Sequence, residues 1–144
     1  MNKDFAMTGF EMFWPLVAHV FLVFCLYALL VLRRSQVVRS GKVERIAFRE
    51  NLAEPEESRV VNRSIANQFE LPILFYAVSI LLYITQADNL VAVVLAWFFV
   101  ATRCAHAYVH VFGNRLHLRR PLFGLGFAAL FALWVWLVAW MAFS

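Results

Sequence analysis

The chain has 144 residues, of which 63% are hydrophobic and only 15% charged, with a mean hydropathy of +0.72. Soluble domains carry about a quarter charged residues, so this composition excludes an ordinary soluble domain and points to an integral membrane protein. The net charge of +4 is spread over polar connections instead of forming one basic patch, which argues against nucleic acid as a partner.

Four apolar runs, 12–32, 69–84, 90–112 and 122–143, approach the length of a membrane span. A helix rises about 1.5 Å per residue, so about 20 residues cross a hydrocarbon core of about 30 Å. Only the second run is short, and it is expected to extend back toward Arg63. The first run is too long for the apolar part of a signal peptide and lacks a small-residue cleavage site. It is followed by Arg33 and Arg34, and is therefore expected to remain as a span. Cys25 and Cys104 fall inside spans, where small apolar fillers are expected in place of a disulfide. His19, alone in the first run, is expected to hydrogen-bond a neighbouring helix.

The connection 33–63 is the one sizeable polar segment. It holds Arg33, Arg34, Arg39, Lys42, Arg45, Arg49, Arg59 and Arg63, eight of the thirteen Lys and Arg residues, interspersed with glutamates. Gly41 suggests a turn, and Pro55 followed by Glu56 and Glu57 resembles a helix start near 54–57. The connection near 86–89 has no Lys or Arg. The third, 113–120, contains Arg115, Arg119 and Arg120, and Pro121 suits the first turn of the last helix. The positive-inside rule then places 33–63 and 113–120 in the cytoplasm and both termini on the other side of a cell inner membrane. Short connections make neighbouring helices antiparallel. The expected fold is all-α, an integral membrane up-and-down four-helix bundle forming one domain over 1–144, with spans at about 12–32, 66–85, 90–112 and 121–143. Trp134, Trp136 and Trp140, with the aromatics near Phe10 to Trp14, are expected to anchor the non-cytoplasmic interface.

Polar residues interrupt this pattern. Arg103, His106 and His110 are spaced i, i+3, i+7, and Arg63, Asn67 and Glu70 are spaced i, i+4, i+7, so each triplet shares one helix face. A charge at the bilayer centre costs ~2.5–3.5 kcal/mol on insertion scales, so the two stripes are expected to face each other, with Glu70 as partner of Arg103. A buried pair of this kind can serve packing alone, since desolvation cancels most of its attraction. His106 and His110 with Glu70 could supply three metal ligands. Arg103 in the same stripe puts a positive charge where a cation would sit, and no metal site is expected.

"RSIANQFELP", "RCAHAYVH" and "RRPLFGLG", taken together, resemble the MAPEG family, the membrane-associated proteins in eicosanoid and glutathione metabolism. The resemblance covers nearly the whole chain in span number, loop lengths and orientation. By it, Asn67, Glu70 and Pro72 match the helix-two signature, Arg103 and His106 the helix-three signature, and Arg119, with Arg120 as alternative, the arginine that opens helix four. Arg33 or Arg34 matches an arginine ending helix one. The sequence departs from the family at His110, where many members have tyrosine, and at Ala66, where one branch has arginine.

The resemblance implies a homotrimer that binds glutathione through Arg63, Asn67, Glu70, Arg103, His106, His110 and Arg33 or Arg34. It further implies that Arg119 assists the thiolate, and that the second substrate is a lipophilic small molecule arriving from the membrane lipids. The expected activity is that of a glutathione-dependent transferase or peroxidase. A second reading is a non-catalytic membrane protein whose polar cluster holds helices or binds a lipid head group or another anion. Fold resemblance by itself does not give an activity.

Overall fold

The structure, a computed structural model, describes residues 9–41, 54–113 and 115–144. Among them are five helices: α1 (Phe13–Arg39), α2 (Glu56–Ala66), α3 (Leu71–Ile84), α4 (Leu90–Phe112) and α5 (Leu116–Phe143). By length and composition they make four segments able to cross a membrane, α2 and α3 together forming the second. The chain is thus an all-helical four-span bundle, with no strand among the described residues. Residues 42–53, the middle of the first polar connection, lie outside the described part.

The bundle is apolar on both its inner and its outer surface. On α1 the buried positions Pro15, His19, Val23, Leu26 and Leu30 recur every three or four residues, while Phe21, Phe24 and Val31 face outward and stay exposed. Lipid solvates such an outer face, so burial within the bundle comes from close helix packing and from polar groups that must find partners. The broadest packing is between α4 and α5, where Gly126 lets the backbone approach Thr102. A Cβ on Gly126 would lie 2.8 Å from the Thr102 hydroxyl oxygen.

Local chemistry explains the ends. α1 runs to Arg39, seven residues beyond the predicted span, and closes at Gly41, whose φ of +71° suits a residue without Cβ. α2 begins at Glu56, inside the expected window, with Glu56 and Glu57 in its first turn. Asn89 caps α4 by accepting the Ala92 N–H at 2.9 Å. α5 begins at Leu116, not at Pro121, so most of the expected loop 113–120 is helix. Pro121 lies inside α5 because its ring already has helical φ, and the His117 carbonyl it leaves without a partner belongs to an exposed first turn.

Two of the tryptophans also have partners within the bundle. Trp136 and Trp140 turn inward: their indole N–H groups donate to the Ala87 carbonyl at 2.9 Å and the Thr85 carbonyl at 3.1 Å. They clamp the turn at 85–89 onto α5, since a half-buried indole N–H needs an acceptor. Cys25 and Cys104 are free, as expected, but exposed on the outer surface and not core fillers.

Among the described residues the interior has two apolar clusters. One, at the end of the 85–89 turn, contains Phe75, Val78, Leu82, Ala96, Phe99, Leu130 and Leu133. The other, toward α2, contains Leu26, Leu30, Val61, Ile65 and Ala107. Buried polar side chains lie between them in sequence on three spans: His19 precedes Leu26, Gln68 follows Ile65, and Arg103 precedes Ala107.

The second span is broken. α2 stops at Ala66, the Gln68 and Phe69 N–H groups bond three residues back to the Ile65 and Ala66 carbonyls, and α3 restarts with Pro72 in its first turn. Proline has no N–H to offer the carbonyl four residues earlier, that of Gln68, and Glu70, the residue that precedes α3, sits outside helical geometry at φ −91°, ψ −96°. Arg63, Asn67 and Glu70 therefore do not lie on one continuous helix.

Candidate functional site

Arg103 is 2% exposed and lies in the middle of α4. Its Nη2 donates to the Asn67 carbonyl at 2.6 Å, an acceptor at the break of the second span. Its Nε donates to Gln68 Oε1 at 3.3 Å. The expected pairing with Glu70 is not formed: Glu70 is exposed, and the described residues show one ion pair, Arg34 with Glu54 at 2.6 Å. The irregular turn at 67–70 brings Gln68 inward and leaves the Glu70 carboxylate outside, where solvation is better.

Donor and acceptor roles in this network follow from chemistry alone. Arginine only donates, so the Gln68 atom facing it is the amide oxygen, and the Gln68 amide nitrogen donates to the Ser64 carbonyl at 3.2 Å. His19 Nε2 lies 3.1 Å from the same Oε1 and therefore carries a proton. His19 Nδ1 is then the acceptor for the Tyr76 hydroxyl at 2.6 Å. The chain reads Tyr76 O–H to His19, His19 N–H to Gln68, with Arg103 N–H arriving at Gln68 from the other side. His19 thus links helices through hydrogen bonds, as the sequence suggested.

Beside this buried layer a cleft of about 380 Å³ opens at the α2 end of the bundle. Glu56, Arg59, Val60, Arg63 and Ala66 of α2 line it, with Asn67 and Glu70 from the break, His110 from α4 and Arg119 from α5. Of the residues expected at the site, the structure brings together Arg63, Asn67, Glu70, His110 and Arg119. Arg103 and His106 lie behind the wall in the core; His106 packs with its ring 6.0 Å from His110 and 6.3 Å from Phe123. Arg33, Arg34 and Arg120 do not line the cleft, and Arg34 donates to Glu54 through Nη2 and Nε.

The cleft combines three guanidinium groups with two carboxylates, a set suited to a ligand with anionic groups and a cationic one. His110 is 4% exposed, and its Nδ1 has no hydrogen-bond partner; the same holds for Arg103 Nη1 and His106 Nδ1. Buried nitrogens of this kind cost about 1–3 kcal/mol each while unpaired, so these positions favour water or a ligand atom. Among the described residues no group of three His, Cys, Asp or Glu could hold a metal ion.

Sequence reasoning missed Gln68, Tyr76, Arg59 and Glu56. Gln68 lies one residue off the polar stripe and is neutral, and only the break implied by Pro72 could have pointed to it. Arg59 lies one turn before Arg63, and Glu56 one turn before Arg59, so continuing the stripe into the polar connection would have found both.

No curated protein and no solved structure matches the chain. The MAPEG family model, in contrast, matches residues 12–139, nearly the whole bundle with the break, the cleft and the buried arginine layer. A four-span helical membrane protein matched over that length belongs to the MAPEG family.

Proposed function

We propose that the protein is a glutathione-dependent transferase or peroxidase acting on lipophilic electrophiles. One observation carries this reading: in a chain of this family, three guanidiniums, two carboxylates and a buried histidine with an unpaired nitrogen surround a single cleft. Glutathione offers two carboxylates, one ammonium and a thiol. Arg59 and Arg63 suit the carboxylates, because a guanidinium fork binds them through two N–H groups, and Glu56 or Glu70 suits the ammonium. The His110 nitrogen and the Asn67 side chain add polar contacts. Arg119 is the group we assign to the sulfur. A thiol with a pKa of about 8.5 ionises more readily beside a cation, so the proton leaves to solvent and the electron pair stays on sulfur. In a transferase the thiolate then bonds to an electrophilic carbon, whose leaving group departs.

The remaining parts of the reading concern placement. The basic connections put the cleft end in the cytoplasm and both termini on the other side of the inner membrane. The cleft rim at Glu56, Arg59, Arg63 and Glu70 is exposed, and a neighbouring subunit of a homotrimer would cover it. A non-catalytic reading draws on Arg103 and His106, which hold helices and do not line the cleft.

Calorimetry and thermal unfolding of the purified protein with millimolar glutathione separate the two. Glutathione is expected to raise the unfolding temperature, and Glu70→Gln and Arg63→Gln each to weaken binding by roughly ten- to hundredfold, as loss of a hydrogen bond to a charged group does. Wild-type protein indifferent to glutathione overturns the enzymatic reading.

A further inference from the structure

The polarised chain Tyr76–His19–Gln68–Arg103 ends on a single structural point, the carbonyl of Asn67 in the break that forms the cleft wall. We propose that Gln68 and His19 are positioning residues of the cleft. They orient Arg103 so that it holds the break open, and they thereby set the geometry of a site that neither of them touches.

Several observations converge on this. The break exposes backbone groups inside a membrane protein, where irregular backbone persists only if buried partners satisfy it. Arg103 supplies that partner at 2.6 Å from the Asn67 oxygen, and Ala66, Asn67 and Glu70, at and around the break, all line the cleft. Among the described residues no carboxylate lies within ion-pair distance of Arg103, so its direction is set by neutral acceptors, of which Gln68 Oε1 is the side-chain one. Gln68, 1% exposed, cannot rotate its amide without losing three bonds at once: those with Arg103, with His19 and with the Ser64 carbonyl. His19, 0% exposed, is in turn held in one tautomer by the Tyr76 hydroxyl. The relay thus ties α1, α3 and α4 to the cleft through groups that all lie within the bundle.

The proposal rests on the glutathione reading for its affinity readout only. The second readout is ligand-free: hydrogen exchange of the Arg103 Nε–H, followed by nuclear magnetic resonance of the full chain in detergent micelles. His19→Leu removes the donor to Gln68 and is expected to speed that exchange and to weaken glutathione binding by roughly three- to tenfold. His19→Gln, whose amide can again donate to Gln68 Oε1, is expected to restore most of both. Tyr76→Phe, a milder change, is expected to shift them in the direction of His19→Leu. Leu30→Ala, in the separate cluster with Leu26 and Val61, is the stability control; it lowers the unfolding temperature and leaves Arg103 exchange unchanged. Wild-type exchange in both His19→Leu and Tyr76→Phe, or exchange in Leu30→Ala that rises as much as in His19→Leu, overturns the proposal. Loss of glutathione binding in the wild type strikes only the enzymatic reading, because exchange still reports on the relay.

Discussion

A guanidinium has five N–H groups and no way to discard its charge, so burying one inside a membrane bundle requires acceptors in fixed directions. At Arg103 those acceptors are a backbone oxygen and a neutral amide, and the Glu70 carboxylate stays at the exposed break. A neutral acceptor is buried at far lower desolvation penalty than a carboxylate, which is why the inward place goes to Gln68. At the opposite end of the bundle the same penalty acts on Asp88, in the turn between α3 and α4. Burial there raises its pKa above the ordinary carboxylate value and the nearby Glu11 adds to the rise, while its own backbone N–H opposes them. An acid whose folded pKa is raised contributes stability below its unfolded pKa and loses it as pH rises through the folded one. Asp88→Asn is therefore expected to unfold at a higher temperature than wild type at about pH 7 and at the same temperature at about pH 3, where both side chains are neutral. Equal unfolding temperatures at both pH values would show that Asp88 carries no such penalty.

Helices here are placed by contacts that tolerate little change. α4 and α5 meet where Gly126 faces Thr102, whose hydroxyl is already committed to the Phe99 carbonyl at 2.7 Å. Gly126→Ala would force a methyl to within 2.8 Å of that oxygen, and overpacking of this kind typically costs about 1–3 kcal/mol. Thermal unfolding in micelles should show that loss, and Thr102→Ala in the same chain should recover most of it, because the oxygen is gone. A loss that persists in the double variant would place the strain elsewhere. The broken second span is positioned on the same terms, since Pro72 prevents α2 from continuing and Arg103 holds what it leaves. Much of this was readable beforehand. Pro55 with Glu56 and Glu57 announced α2 within two residues, whereas Pro121 suggested a helix start that lies five residues earlier. A proline marks where a backbone N–H is missing, and whether that ends a helix depends on what the freed carbonyl meets.

For the whole molecule, the distribution of charge makes a directional prediction. The basic connections lie at the cleft end and the 85–89 turn, which has no Lys or Arg, at the other, so the turn is expected outside the cell and the start of α5 inside. In a chain with Cys25→Ala and Cys104→Ala, a membrane-impermeant thiol reagent on intact cells should label Gln86→Cys and spare His117→Cys. Labelling of His117→Cys alone would invert the orientation and place the cleft on the non-cytoplasmic side.

What the sequence by itself determined is the set of properties that add up along the chain: four spans, their connections, and the signature residues that mark the MAPEG family. Bilayer thickness sets span length, and summed hydropathy reads it without knowledge of any contact. The tertiary structure alone decided which of those residues work together. Each helical residue turns the chain by about 100°, so the irregular residues 67–70 shift every later side chain to a new face, and the helical spacing that aligned Glu70 with Arg63 no longer applies. The irregular turn sent Gln68 to Arg103, with Arg103 and His106 behind the cleft wall, while Arg59 and Glu56 join the cleft on the unbroken α2 face they share with Arg63. His110, where the sequence departs from the family tyrosine, stayed at the cleft wall with one nitrogen unpaired, because α4 is unbroken and its spacing holds to the end.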